Sequence, residues 1–270
     1  MKTTLSRLRI PSKILITIVS VVILIACGGS AGYAQDRWQF DVIPAYLWVP
    51  GFEGDVSVGI SGGGGDSIDS PVDTSSEDAF VDLDFGWLLH VEARKRRWSL
   101  MLDGLYTKLQ KDAKAGLPEL DLVIQNWLVD FGAWYTVYQR PLGAGDGQSL
   151  DLELLAGGRY ISLDVDVDLF DRLISVGANE QGIDPIVGAR LKADLTRKFT
   201  ASLRGDVGGG VTADLTWSLS GFLGYYFTRS FGVWGGYRAM YLEFDEGSGE
   251  DQFKVDLTLT GPIVGLGFRF

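Results

Sequence analysis

From Trp38 to the C-terminus the apolar positions recur with a period of two, in segments of about 10 to 14 residues cut by clusters of Gly, Pro or charged residues. Successive side chains of a strand point to opposite faces, so this pattern describes strands with two chemically different faces rather than helices. In Asn126 to Tyr138 one set of positions reads Trp127, Val129, Phe131, Ala133, Tyr135, Val137, and the alternate set includes Asn126, Asp130, Gly132 and Thr136. Phe199 to Gly208 behaves likewise, with Phe199, Ala201, Leu203, Gly205 and Val207 against Thr200, Ser202, Arg204, Asp206 and Gly208. One face is apolar and the other polar or small. The pattern predicts ten strands: about Trp38 to Val49 with a continuation toward Ile60, Asp84 to Arg94, Trp98 to Lys108, Leu122 to Tyr138, Leu150 to Leu163, Asp184 to Leu195, Phe199 to Gly208, Leu215 to Phe227, Phe231 to Phe244, and Val255 to Phe270. Twelve is the next count, if Phe52 to Ile60 pairs separately and a further strand lies between Val165 and Ser175.

Alternation alone is shared with a water-soluble sandwich, which buries its apolar face. Three features favour a transmembrane, antiparallel, up-and-down barrel. Trp38, Trp48, Trp87, Trp98, Trp127, Tyr135, Trp217, Tyr225, Phe231 and Tyr241 mostly lie near segment ends, as in the two aromatic girdles of a membrane barrel. The inward set carries five acids and five bases: Glu92, Asp103, Asp130, Glu153 and Asp206 with Arg94, Arg159, Arg190, Arg204 and Arg238. These are costly in a dry sandwich core and natural in a polar lumen. The connections also alternate. Lys95-Arg96-Arg97, Arg197-Lys198 and Thr228-Arg229-Ser230 are tight and basic, and the Gln139 to Ser149 link is the long exception. The other set is longer and acidic, with Asp66, Asp69, Asp73, Glu77 and Asp78, then Asp164, Asp166, Asp168 and Asp171, then Asp245, Glu246, Glu250 and Asp251. Short turns on one side and long loops on the other fit a barrel whose chain ends share one side.

Composition narrows the chemistry. The 270 residues include one Cys and one His, so neither a disulfide framework nor a multi-cysteine or multi-histidine metal centre is expected. Lys2, Arg7, Arg9 and Lys13 precede the apolar run Ile14 to Ala26, and small residues follow from Gly28 to Ala34, the plan of a secretory signal. Gly32-Tyr33-Ala34 suits cleavage before Gln35, the preferred reading, giving a signal peptide over 1–34 and a barrel domain over 35–270. Leu24-Ile25-Ala26-Cys27 resembles a lipoprotein box, and the alternative is lipidation of Cys27. After cleavage 20 basic residues face 35 acidic ones, a net charge of −15 over 236 residues, which argues against a nucleic-acid partner.

The segments Ala45-Tyr46-Leu47-Trp48-Val49-Pro50-Gly51, Val91-Glu92-Ala93-Arg94, Asp184-Pro185-Ile186-Val187-Gly188-Ala189-Arg190, Gly205-Asp206-Val207-Gly208-Gly209, Gly236-Tyr237-Arg238 and Gly261-Pro262 through Phe268-Arg269-Phe270 together resemble an uncharacterised family of small outer membrane β-barrel proteins of Gram-negative bacteria. The resemblance spans nearly the whole mature chain. It implies location and fold, and no reaction. Phe268 and terminal Phe270 look like the C-terminal signal read by the barrel assembly machinery, which the resemblance makes a partner alongside outer membrane lipid and lipopolysaccharide.

Candidate chemistry follows from the inward face. If Arg94 opposes Ser99 across the basic turn, then Glu92 faces Met101 and His90 faces Asp103, because opposed residues share a face. A carboxylate beside an imidazole can orient it as a base, so an outer-membrane hydrolase acting on lipid or peptide, centred on His90 and Asp103, is one alternative. The preferred reading makes the ten inward charges an ion-pair network filling a narrow barrel. A charged lumen can equally serve a small passive pore, with Gly157, Gly188, Gly208, Gly224, Gly236, Gly265 and Gly267 removing bulk. Asp164, Asp166 and Asp168 share one face and can offer oxygen ligands to a divalent cation, although a solvated hairpin tip is preferred. Gly62 to Gly65 is a loop tip and no phosphate loop, and Ser75 to Asp82 suits a short helix. The expected role is therefore a structural barrel or small pore without enzymatic chemistry or cofactor. An adhesin or receptor acting through the acidic loops is the third alternative.

Overall fold

The alternating segments fold into twelve strands, named β1 (Gln39–Trp48), β2 (Gly51–Gly59), β3 (Ser67–Thr74), β4 (Leu83–Lys95), β5 (Trp98–Ala113), β6 (Leu120–Pro141), β7 (Ser149–Leu169), β8 (Ile174–Asp194), β9 (Phe199–Gly208), β10 (Leu215–Tyr226), β11 (Phe231–Glu246) and β12 (Phe253–Arg269). The structure is a computed structural model that describes residues 38–59, 67–75, 83–113, 120–143, 148–169, 174–246 and 253–270. All pairings are antiparallel, and β1 joins both β4 and β12, so ten strands, β1 and β4 to β12, close a barrel. Closure removes the exposed sheet edges, leaving backbone groups paired around the ring.

The remaining two strands form a hairpin outside the ring. At Val49-Pro50 the chain leaves the barrel: Trp48 is the last β1 partner on β12, opposite Ile263, and β2 resumes on the same edge with Gly51 opposite Thr260. Pro50 offers no N–H to a ladder. Gly261 lies between these two pairings, where a Cβ would clash with the Val49 carbonyl oxygen, so only glycine admits the crossing. The strand expected over Phe52 to Ile60 thus pairs separately, with β12 and with β3.

Other expectations change. The acidic stretch around Asp69 and Asp73 is strand β3 rather than loop, and among the described residues between Val165 and Ser175 there is no separate strand, because β7 runs on to Leu169 and β8 starts at Ile174. Strands β7 and β8 are both 21 residues long and run well past the expected ends at Leu163 and Asp184, because they pair with each other to their tips, while the 22-residue β6 outruns its expected ends by only two or three residues. The acidic positions Asp164, Asp166 and Asp168 therefore belong to a ladder, opposite Gln125, Val123 and Asp121 on β6. Trp48 is no girdle residue: it is 2% exposed and points inward, since the irregular register between Val42 and Ala45 shifts the face of β1. The signal segment with Cys27, the Gly62 to Gly65 tip, and residues 76–82 of the expected helix lie outside the described residues.

The outer face is apolar between two aromatic belts. One belt, beside the tight turns, contains Trp98 against Tyr135 (4.8 Å between ring centroids), Phe199 against Tyr225 (4.8 Å) and Phe231 against Phe268 (5.4 Å). The other contains Tyr106 against Trp127 (4.5 Å) and Trp217 against Tyr241 (6.0 Å). On β5, β6 and β10 the two belts stand eight residues apart. At ~3.4 Å per residue and a tilt of about 40°, that is ~20 Å across, close to the apolar band of a transmembrane barrel. Leu100, Leu154, Val187, Leu203, Leu219, Leu223 and Leu266 lie outward between them, each about half exposed or more.

Leu203 sits midway between the belts and is 54% exposed. On a wetted surface Leu203→Arg would be nearly neutral, whereas at mid-bilayer it is expected to lower stability by about 2–4 kcal/mol. Urea unfolding in lipid vesicles checks this.

Candidate functional site

The two-residue turn after Lys95 fixes the first contact. Its register sets Arg94 opposite Ser99, Glu92 opposite Met101 and His90 opposite Asp103, as expected from the sequence. His90 Nδ1 lies 2.7 Å from Asp103 Oδ1, and Arg204 Nη1 donates to the other oxygen of Asp103 at 2.6 Å. Among the described residues His90 has this single side-chain hydrogen bond and none to a hydroxyl that it could activate. The pair belongs to a larger array.

All ten inward charges predicted from the sequence meet in the lumen, in two clusters. In the central one, Arg159 donates to both oxygens of Asp130, from Nε at 2.7 Å and Nη2 at 2.9 Å, to Asp206 at 2.7 Å, and to the Thr216 hydroxyl at 3.0 Å. Arg204 bridges Asp206 at 2.9 Å and Asp130 at 3.1 Å as well as Asp103. Arg238 donates to Ser218 at 3.2 Å and stands 3.8 Å from Asp130. Asp130 and Arg159 are both 0% exposed. Bidentate pairing of this kind is what lets charges leave water at all.

The second cluster lies toward the turn end. Arg190 is 2.6 Å from both Glu92 and Glu153, and Arg94 reaches Glu153 at 3.0 Å and Glu92 at 3.2 Å. Trp134 separates the clusters. It is fully buried, with the Arg190 guanidinium 4.5 Å and the Arg204 guanidinium 5.6 Å from its ring centroid, so its electron-rich faces complement both cations. Its indole N–H donates to Met101 Sδ at 3.1 Å.

Two residues further along each strand, away from the turns, the lumen becomes apolar. Leu88 stands before His90, Leu105 after Asp103, Leu128 before Asp130, Ile161 after Arg159 and Met240 after Arg238, and they form one buried cluster with Trp48, Phe244 and Leu259. The β9–β10 loop completes it. Asp184, 0% exposed, accepts the backbone N–H groups of Val211, Thr212 and Ala213 at 3.0, 2.6 and 3.0 Å, which folds the loop inward and sets Ala213 into the apolar layer. Gly209 and Gly210, at φ 131° and 91°, permit the reversal.

Several members were not singled out from the sequence. Asp151 and Lys192 share the inward parity of Glu153 and Arg190 and could have been read the same way. Trp134 carried the inward parity too. The Asp41–Arg269 pair, 2.6 Å apart, joins the first and last strands and became visible only with closure. Asp184 was seen only within a motif. Phe268 and Phe270 face outward at the end of the chain, 38% and 57% exposed. Side chains of Asp164, Asp166 and Asp168 lie outside the described residues, and no group of three or more metal-ligating side chains occurs among the described ones.

No protein-family model matches the chain, nor does any curated protein. Similar solved structures include Ail, the attachment invasion locus protein of Yersinia pestis, in complex with the heparin analogue sucrose octasulfate (10% identity, 87% of this chain and 99% of that chain, TM-score 0.36). The translocator domain of the autotransporter NalP from Neisseria meningitidis (12%, 96% and 97%, TM-score 0.32) and a Pseudomonas aeruginosa FadL homologue (9%, 87% and 90%, TM-score 0.31) are others.

Arg159→Met leaves Asp130 and Asp206 buried with Arg204 as their main remaining partner and is expected to destabilise the barrel by about 3 kcal/mol, with Asp130→Asn in the same chain recovering part of the loss. Unfolding midpoints of the single and double variants in vesicles measure this.

Proposed function

We propose that this chain is an outer membrane β-barrel protein whose lumen is closed, a structural barrel rather than a passive pore. The location rests on the apolar outer face between two aromatic belts and on the contrast between basic turns at one end and long strand extensions at the other. In that setting the turn end faces the periplasm, and the extensions of β5 to β8 and the β2–β3 hairpin stand outside among lipopolysaccharide. Outward Phe268 and Phe270 are accessible to the assembly machinery.

One observation carries the closure: the Asp130–Arg159–Arg204–Asp206 cluster crosses the lumen with Asp130 and Arg159 fully buried, and an apolar layer covers it on the outer side. An ion crossing here would have to break bidentate pairs and then leave water at the apolar layer. The His90–Asp103 contact fits the same reading, because Arg204 already neutralises Asp103 and the pair lies beneath that layer, away from the outer rim where a lipid or peptide substrate would arrive.

Two measurements on the folded protein, identified by its heat-dependent gel mobility, test the proposal. The chain expressed in a Gram-negative host is expected in the outer membrane fraction, and the refolded barrel is expected to be silent in planar bilayers. Recovery from the soluble fraction would overturn the location, and reproducible channel steps would overturn the closure.

A further inference from the structure

The rim at the turn end is built alike in successive hairpins. Between β8 and β9 the Thr196 hydroxyl accepts the backbone N–H groups of Lys198 and Phe199 at 3.1 and 2.9 Å, and between β10 and β11 the Thr228 hydroxyl accepts those of Ser230 and Phe231 at 3.2 and 3.0 Å. Arg197 and Arg229 hold the same place in these two turns, directly after the threonine that shapes each, and both are exposed. The β4–β5 turn presents exposed Arg96 and Arg97, with Arg96 at φ 56°, a conformation that two-residue hairpin turns usually give to Gly or Asn. Arg140 is exposed where β6 ends. All four connections at this end, spaced around the ring, therefore carry an exposed arginine in or beside them.

Arg97, Arg140, Arg197, Lys198 and Arg229 make no ion pair among the described residues. The described acids at this end face the lumen: Asp41 is paired with Arg269, Asp151 lies 3.7 Å from Arg94, and Asp194 stands opposite Thr200 on the cavity wall. Directly beside the cations lie the aromatic pairs of the belt, Trp98 with Tyr135, Phe199 with Tyr225 and Phe231 with Phe268, and the Lys198 ammonium is 5.9 Å from the Tyr225 ring centroid. Belt aromatics sit at headgroup level, so cations one or two residues away from them lie level with lipid phosphates.

We propose that this rim binds anionic phospholipids, whose headgroup carries a phosphate and no amine, in preference to zwitterionic ones. The proposal rests on the membrane reading above. Cations spread around the whole ring fit an annulus of lipid, whereas a docked protein would cover one sector. Arginine suits the phosphate because its planar fork donates to two oxygens at once. Charge is segregated along the barrel: Glu53, Asp55 and Asp245 are exposed at the other end, and the chain as a whole carries a net −11. Net charge alone would drive anionic lipid away, so a preference for it has to come from the rim.

Quenching of tryptophan fluorescence in phosphatidylcholine vesicles tests this, with a minority of the lipid brominated in its acyl chains and bearing either a phosphatidylglycerol or a phosphatidylcholine headgroup. The refolded protein is expected to be quenched as though brominated phosphatidylglycerol associated about two- to fivefold more strongly, and the difference is expected to fade as salt is added. Arg97→Gln, Arg197→Gln, Lys198→Gln and Arg229→Gln combined are expected to remove it. Arg229→Gln alone is expected to remove part of it, and serves should the combined variant fail to fold. Equal quenching by the two lipids, a preference unchanged in the folded variants, or displacement of the brominated lipid by free glycerol phosphate would overturn the proposal. Heat-dependent gel mobility separates the two readings. Protein with neither a mobility shift nor quenching by either lipid would overturn the membrane reading and this proposal with it, whereas a folded, quenched barrel without preference overturns the role of the rim alone.

Discussion

The bidentate grip of Arg159 on Asp130, shared with Asp206, is the interaction on which the interior depends. A guanidinium and a carboxylate buried without compensation would outweigh most of what a small fold gains elsewhere, so each must find partners on several strands at once. Those partners come from β6, β7, β9 and β10, and the contacts can all form only when the ring closes in one register. A one-residue slip of any strand would turn its charged set toward the outside and its apolar set into the lumen. The ion network therefore works as a register lock as well as a filling.

The interior is layered rather than uniformly polar. Toward the turn end a cavity and the Arg94–Glu153–Arg190 cluster share the lumen, the central ion cluster follows beyond Trp134, and then comes an apolar layer completed by the folded-in β9–β10 loop. The outer face in contrast is nearly uniform between its belts. This inversion of the usual soluble arrangement, with charges inside and leucines outside, follows from exchanging water for hydrocarbon as the surrounding solvent. It also explains why a chain rich in acids keeps its inward charges balanced: the excess negative charge falls on segments beyond the belts, where water can screen it.

The inward side chains differ in how far their hydrogen-bonding capacity is used up. Glu92, Asp103, Asp130 and Asp206 are fully engaged by arginines and serve the fold. Asp151 Oδ1 and Thr200 Oγ1, buried in the same interior, have no hydrogen-bond partner among the described residues.

Period-two alternation, the aromatic belts and the tight basic turns were enough to read the barrel, most of its strands, the His90–Asp103 register and all ten charges of the network from the residues alone. These are local properties: a strand's parity decides its faces, and a two-residue turn decides its pairing. What lay beyond that depended on contacts between residues far apart in the chain. The departure of β2 and β3 from the ring, the inward turn of Trp48, the Asp41–Arg269 pair at the closing seam and the capture of the β9–β10 loop by Asp184 all require the curved, closed sheet. The sequence by itself determined which side chains point inward; only closure decided which of them meet, because the partners of a buried charge are set by strand order and tilt around the ring.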